Sequence, residues 1–130
     1  MSSFAEIGER ILADRAIPVR DRLAAVLEAL TRFALEHGAI HRALYGVAGA
    51  EAVKTAANER LIALIASAAR EGVDTGAVVC EQPDVIARAL YHGYCGAATD
   101  AVSGSVDIDT ESLVRCAAAM TRSVFPAPAG

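Results

Sequence analysis

Hydrophobic residues recur every three or four positions along almost the whole chain, which is the spacing of one face of an α-helix. A first helix is predicted over residues 3–16, where Ser3 and Glu6 stand in the positions of a capping box. A second helix is predicted from Pro18 to about His37, because proline is favoured in the first helical turn. The apolar positions of this second helix are Val19, Leu23, Val26, Leu27, Leu30, Phe33 and Ala34.

The middle of the chain is predicted to contain a short helix and then the longest one. Because glycine favours a helix end, we expect Gly38 to end the second helix. Gly46 would then bound a helix of one to two turns over residues 39–45, and glycines at both ends would let this piece move. The longest helix is predicted over residues 50–71, with Gly72 as its cap.

Two further helices complete the predicted set. Pro83 and Asp84 are typical of a helix start, and nothing interrupts the helical pattern until Ser103. The last helix is predicted over residues 110–125, where apolar residues cover a wide arc. Alternation with a period of two is confined to residues 77–80, so no β-sheet is predicted.

We therefore expect a single all-α domain, a helical bundle of about six helices over residues 1–125, followed by a flexible tail at residues 126–130. A composition that is 54% hydrophobic but only 5% aromatic, with no tryptophan, suits closely packed helices. Twelve basic and sixteen acidic residues give a net charge of −4. This sign is wrong for neutralising phosphates, so this chain alone is not expected to bind nucleic acid.

The cysteines and the longest apolar stretches indicate in which cellular compartment the protein would work. Cys80, Cys95 and Cys116 are widely spaced and contain no CxxC pair, so neither a disulfide framework nor a metal site is indicated. Reduced thiols fit a cytoplasmic protein best. No stretch of uncharged sequence is long enough to span a bilayer. We expect no cofactor and no membrane partner.

Two short patterns resemble catalytic or metal sites. Residues 73–76 match the hydrophobic-Asp-Thr-Gly signature of aspartic proteases, but that motif needs flanking strands, and turn chemistry explains the aspartate and glycine here. His37 and His41 have the spacing of zinc ligands on one helix face. The helix is expected to break between them at Gly38, so a histidine at a helix end that is satisfied by carbonyl groups is favoured over a metal site.

A third pattern is the pair His92 and Cys95, which could form an imidazolium–thiolate pair for nucleophilic catalysis. In helical projection, His92 points to the polar side and Cys95 to the apolar side, so the two side chains diverge. A buried cysteine that acts as a small hydrophobic residue is the favoured interpretation. We expect no enzymatic activity.

The helix that starts at Pro83 has two apolar faces and therefore needs two packing partners. One partner is its own bundle, and we expect the other to be a second copy of the chain. The first face carries Ile86, Leu90, Gly93, Ala97 and Ala101, and the second carries Tyr91, Cys95, Ala98 and Val102. Small residues that would let a partner helix approach closely are Gly93, Gly96, Ala97 and Ala101.

The segments LTRFALEHGAIHRALYG at residues 30–46 and AAREGVDTGAVVCEQPDVIARALYHGYCGAATDAV at residues 68–102 resemble the C-terminal ligand-binding and dimerisation domain of TetR-family transcriptional regulators. The resemblance extends over about residues 4–125 and rests on helix order and length, the small-residue loop and the restart at Pro83. It implies that the chain senses a small, largely apolar effector. The helix-turn-helix domain of the family is absent, so DNA would be contacted only through a missing N-terminal domain.

The resemblance also implies which residues contact the ligand and which contact the partner in a homodimer. The expected ligand contacts are Phe33, His37, His41, Tyr45, Asn58, Leu61, Tyr91 and Cys95. In the family the last two helices form the dimer interface, which implies contacts from Ile86, Leu90, Gly93, Ala97, Ala101, Leu113, Ala117, Met120 and Val124. The alternative is a ligand-free helical dimerisation or interaction module that pairs with a full-length regulator.

Overall fold

The computed structural model describes the backbone of residues 4–45 and 50–129, and the side chains of residues 4–38 and 55–129. These parts of the chain form five α-helices and no β-strand, which confirms the all-α prediction. Of the helices in these ranges, none is both long enough and apolar enough to cross a membrane. The helices are α1 (Phe4–Leu12), α2 (Val19–Tyr45), α3 (Ala50–Asp74), α4 (Pro83–Ser103) and α5 (Thr110–Val124).

The prediction that Gly38 ends the second helix is wrong, because α2 continues through it to Tyr45. The short helix predicted over residues 39–45 is the last part of α2, so the described residues contain five helices and not about six. Gly38 is buried, and a Cβ built on it would lie 2.5 Å from Cγ2 of Val102 in α4. The missing side chain allows a close crossing of α2 and α4.

The prediction that Gly72 caps the helix predicted over residues 50–71 is also wrong, because this helix, α3, runs to Asp74. Gly72 is buried inside the helix, where a Cβ would lie 2.6 Å from Cγ2 of Val78. The residue with left-handed backbone geometry is Gly76, whose φ is 79°. The next N–H, that of Ala77, donates to the Gly72 carbonyl at 2.8 Å and closes the helix end.

The helix α2 lies at the centre of the bundle and contacts each of the other four helices. Around it the order is α1, α3, α4, α5, because each of these contacts the next. Within the described residues, α1 and α5 do not contact each other, so the four outer helices form an open arc around α2. This order places α4 between α3 and α5.

The core is built on the apolar stripe of α2. Leu23, Val26, Leu27 and Leu30 are completely buried, as the pattern of the second helix predicts. Burying each such side chain stabilises the fold by about 1.5–3 kcal/mol. Among the described residues of the other helices and loops, the largest completely buried side chains are those of Leu61, Ile65, Tyr91, Val114, Thr121 and Phe125.

The helices α4 and α5 form an antiparallel pair. Gly104 ends α4 with a left-handed φ of 72°, and the Asp109 carboxylate caps α5 by accepting from the Ser112 N–H at 3.3 Å. At the opposite end of the pair, the Val79 N–H donates to the Pro126 carbonyl at 2.9 Å. This bond joins the segment before α4 to the segment after α5, so the outer sides of the two helices form one surface.

We expect Gly38→Ala to lower the free energy of unfolding by about 1 kcal/mol. The added methyl group overpacks against Val102 at a cost of about 1–3 kcal/mol, and alanine regains up to about 1 kcal/mol through its helix propensity. Val102→Ala removes the clash, so Gly38→Ala should stabilise the chain in that background. Urea denaturation of the wild type, both single variants and the double variant measures this reversal of sign. Equal destabilisation in both backgrounds would contradict the close crossing.

Candidate functional site

Two of the predicted ligand contacts pack against α1, and a third packs against one of these two. The ring centroid of Phe33 lies 4.4 Å from that of His37 and 5.2 Å from that of Phe4 in α1. Leu61 of α3 is completely buried, and its Cδ2 atom would lie 2.6 Å from a Cβ built on Gly8 of α1. Phe33 and Leu61 therefore hold α1 onto the bundle, and His37 packs against Phe33.

Tyr91 and Asn58 form the polar centre of the remaining predicted contacts. The Tyr91 side chain is completely buried, and its hydroxyl donates a hydrogen bond of 2.6 Å to Oδ1 of Asn58. This bond joins α4 to α3. Cys95, which follows Tyr91 by one helical turn, is half-buried. The last two predicted contacts, His41 and Tyr45, are in α2, but their side chains lie outside the described residues.

A second buried tyrosine, Tyr94, lies beside this pair. Its residue is 2% exposed, and its ring is edge-on to that of Tyr91, with centroids 5.2 Å apart. Within the described part of the chain, the Tyr94 hydroxyl forms no hydrogen bond of normal length and angle, and its polar neighbours are the side chains of Tyr91 and Cys95. Leaving a buried hydroxyl unpaired costs about 1–3 kcal/mol. Burial, with smaller effects of Cys95 and Tyr91, raises the pKa of this phenol far above its usual value, so it remains a proton donor.

The sequence analysis missed Tyr94, although a signal was present. Tyr91 and Tyr94 are three residues apart, which places them on neighbouring positions of one helix face. The rest of α4 consists largely of alanine, glycine and other small residues. Because these residues differ little in hydrophobicity, a helical projection does not show which face of α4 is buried. The structure buries Ala87, Leu90, Tyr91, Tyr94 and Ala98 along the inner side.

A groove of about 200 Å³ lies between α1 and α3, and its polar lining holds the fold together. Arg22, which is 5% exposed, donates to the carbonyls of Leu12 and Ile17 at 2.9 Å each, and to Glu71 at 2.6 Å. Arg15, which is exposed, also pairs with Glu71. These contacts fasten the turn between α1 and α2 to the end of α3. We therefore assign this groove a structural role.

The predicted dimer contacts are divided between the interior and the surface. Leu90 and Ala117 are buried in the core of the chain itself, so we remove these two from the partner surface. Gly93 and Met120 are exposed. A Cβ built on Gly93 or Gly96 would meet no atom within 4 Å, so the backbone of α4 is open there. The half-buried members of the predicted set are Ile86, Ala97, Ala101, Leu113 and Val124.

The patterns considered for catalysis fall on ordinary helix and turn positions. Asp74 is the last residue of α3 and Gly76 the left-handed turn residue after it, so a helix precedes the protease-like motif. His92 is exposed, and its ring is edge-on to that of Tyr91 with centroids 5.8 Å apart. Among the described residues, no three His, Cys, Asp or Glu side chains are grouped as a metal ion requires.

Comparison with known proteins finds no matching family model, no matching curated protein and no matching solved structure. The functional interpretation therefore depends on the geometry of α4. The inner side of this helix carries the two buried tyrosines, and its outer side carries the open backbone at Gly93 and Gly96.

We expect Glu71→Gln to destabilise the chain at pH 7 and to have no effect in strong acid. The hydrogen bond from Arg22 lowers the pKa of Glu71 below its ordinary value of 4.5. A lowered folded-state pKa stabilises the fold above the unfolded-state pKa, and this contribution is lost as the pH falls through the folded-state value. Urea denaturation of the wild type and the variant at pH 7 and at pH 2.5 measures the difference.

The matched control for this prediction is Glu36→Gln, which removes an exposed carboxylate from α2. We expect it to change the free energy of unfolding little at either pH. A loss for Glu71→Gln that is the same at both pH values would show that the carboxylate charge is not what stabilises the turn.

Proposed function

We propose that this chain is the ligand-sensing and dimerisation domain of a TetR-like transcriptional regulator, and that it binds a small, largely apolar effector. The observation that best supports this is the hydrogen bond between the hydroxyl of the buried Tyr91 and the half-buried Asn58. Helix packing alone does not need such a pair, because apolar groups of the same shape can replace two bonded partners at little cost. A few polar groups in an apolar interior are typical of small-molecule sites, where they orient the ligand.

The position of α4 supports a coupling between ligand and partner. Its inner side contributes Tyr91 to the bond with α3, and its outer side carries the open backbone at Gly93. An effector that competes for Asn58 would favour a different position of α4 relative to α3. The outer surface of α4 would move with it. In a complete regulator, this movement would change the spacing of the DNA-reading helices of the dimer.

The outer surface of α4 and α5 supports dimerisation. Val85 of α4 and Met120 of α5 are 58% and 46% exposed, which is high for large apolar side chains. Gly93 and Gly96 would allow a partner helix to approach the backbone of α4. A two-fold axis across this surface would pair α4 and α5 with their own copies in a four-helix interface.

The same outer surface also suits the second candidate function, a ligand-free module that pairs with a full-length regulator. The net charge of −4 disfavours direct contact with DNA phosphates in both cases. The two candidates differ only in the interior, since a sensor must admit a ligand beside Tyr91 and Asn58. Ligand binding to the wild-type chain therefore separates them.

We expect uncharged apolar compounds to raise the melting temperature of the wild-type chain. A ligand that binds only the folded chain stabilises it by about 2.7 kcal/mol at a hundred times its Kd. Differential scanning fluorimetry with a panel of uncharged aromatic and alicyclic compounds measures the shift. Asn58→Leu, which removes the acceptor of the Tyr91 bond, should change the ranking of the compounds. A panel that leaves the melting temperature of the wild type unchanged would favour the ligand-free module.

We expect Gly96→Leu and Ala97→Glu to convert the dimer to monomers or aggregates. A leucine would block close helix approach, and a glutamate would bury a charge in the interface. Size-exclusion chromatography with light scattering measures the mass. Ala63→Glu is the matched control, since it places the same charge on an exposed position of α3 and should leave the dimer intact. An unchanged dimer mass for Ala97→Glu would place the interface elsewhere.

A further inference from the structure

Resting on the proposed function, we propose that two copies of this chain pack α4 against α4 in opposite directions across Gly96, and that His92 of each copy forms an ion pair with the partner's Asp100. The partner is a second copy of the same chain, and protonation of the histidine strengthens the interface. Three properties of α4 support this: the exposed row that these residues form, the open backbone at its centre and the opposite charges at its two ends.

His92, Gly96 and Asp100 form a row on the outer side of α4. They follow one another at steps of four residues, which places them along one line of the helix surface, and all three are exposed. The buried residues Tyr94 and Ala98 lie on the opposite side of the helix. The row therefore faces away from the bundle.

The glycine at the centre of the row leaves room for a second helix. A Cβ built on Gly96 or on Gly93 would meet no described atom within 4 Å, so the space beside the backbone is open. In the commonest class of helix packing, rows of residues four apart interdigitate and the two axes cross at about 50°. A glycine at the crossing lets the axes approach to the lower end of the usual range of about 8–10 Å.

A two-fold axis beside Gly96 makes this row complementary to its own copy. In such an interface, one residue contacts a second residue of the partner, and the second contacts the first in return. His92 and Asp100 each lie about 6 Å along the helix axis from Gly96, on opposite sides of it. When the two copies of α4 run in opposite directions, each His92 lies opposite the partner's Asp100, which gives two ion pairs per dimer. A parallel arrangement would instead oppose like residues.

The position of Asp100 in α4 is electrostatically unfavourable within one chain. It lies in the last turn of the helix, where the negative end of the helix dipole favours a cation and disfavours a carboxylate. Its backbone carbonyl accepts hydrogen bonds from the hydroxyls of Ser103 and Ser105 at 3.1 and 3.4 Å. A protonated histidine of the partner would offset the unfavourable charge of the carboxylate.

Charged side chains beside the row are paired within the same chain. Arg88, one turn before His92, donates two hydrogen bonds to Glu59 of α3, at 2.8 and 2.7 Å. The bond from Arg88, with a smaller effect of His92, lowers the pKa of Glu59. On α5, Arg115 lies near Asp109. Because Arg88 balances the charge of Glu59, the partner's carboxylate decides how much dimerisation favours the protonated histidine.

The ion pair makes dimerisation dependent on pH. An ordinary histidine is protonated below about pH 6.5, and an ordinary aspartic acid is ionised above about pH 4. Dimerisation and protonation of His92 favour each other by linkage. The dimer is therefore strongest between these two values and weakens as the pH rises through the upper one.

Sedimentation equilibrium of the full chain at pH 5.5 and pH 8.0, at one ionic strength, measures the Kd of the dimer. We expect the wild-type Kd to be about fivefold lower at pH 5.5, the effect of two ordinary surface ion pairs. His92→Gln and Asp100→Asn should each remove this difference. His37→Gln is the matched control and should keep it, because His37 is on α2 and packs against Phe33.

A change of charge at one end of the row should reverse the sign of the effect. In Asp100→His, four histidines face one another, so this variant should dimerise more weakly at pH 5.5 than at pH 8.0. Adding His92→Asp restores opposite charges at exchanged positions, and the double variant should regain the wild-type direction. Both positions are exposed, so circular dichroism should show unchanged helix content.

Three results would overturn the proposal about His92 while leaving dimerisation in place. They are a wild-type Kd that is equal at both pH values or lower at pH 8.0, a pH dependence that survives His92→Gln or disappears in His37→Gln, and a pH dependence that Asp100→His does not reverse. A wild-type chain that is monomeric at both pH values would overturn the dimerisation part of the proposed function as well.

Discussion

The structure depends on the burial of one apolar stripe along α2. Leu23, Val26, Leu27 and Leu30 are shielded completely, and no single neighbouring helix is wide enough to do this. The four other helices are therefore arranged around α2, each contacting it directly. This arrangement decides the surroundings of α4, which lies between α3 and α5 and keeps one side free of the bundle. The proposed sensor role requires such a helix, with one side in the interior and the other available to a partner.

Two attachments of α4 act on different parts of the helix. Near the end of α4, the Val102 side chain packs directly against the backbone of α2 at Gly38. Near its middle, the Tyr91 hydroxyl is bonded to Asn58 of α3. The first attachment is apolar and fills space, so no small polar molecule competes for it. The second is a single polar bond, which is the kind of contact that a ligand exchanges for its own.

The fold class and the core of α2 could be predicted because large aliphatic residues at helical spacing give an unambiguous pattern. The roles of the glycines could not, since a helix end and a close helix crossing both require the absence of a Cβ. Gly38 is distinguished from an end signal only by Val102, which is distant in sequence. Arg22 was missed for a related reason, because its burial follows from carbonyl groups of a turn that the pattern does not describe. The bond between Tyr91 and Asn58 joins two of the predicted ligand contacts, whereas Phe33 and Leu61 pack against α1 and His37 packs against Phe33.

The helix α1 has a particular place in the energetics of the bundle. It is 9 residues long, shorter than a helix that persists alone in water, and among the described helices it contacts α2 and α3 but neither α4 nor α5. Its helical state is therefore maintained by contacts such as Gly8 against Leu61 and Phe4 against Phe33. Detaching α1 sacrifices fewer contacts than separating α4 from its three neighbours. We therefore expect transient opening of the bundle to begin at α1 and to uncover the flank of α3 that carries Leu61, while the paired helices α4 and α5 stay folded.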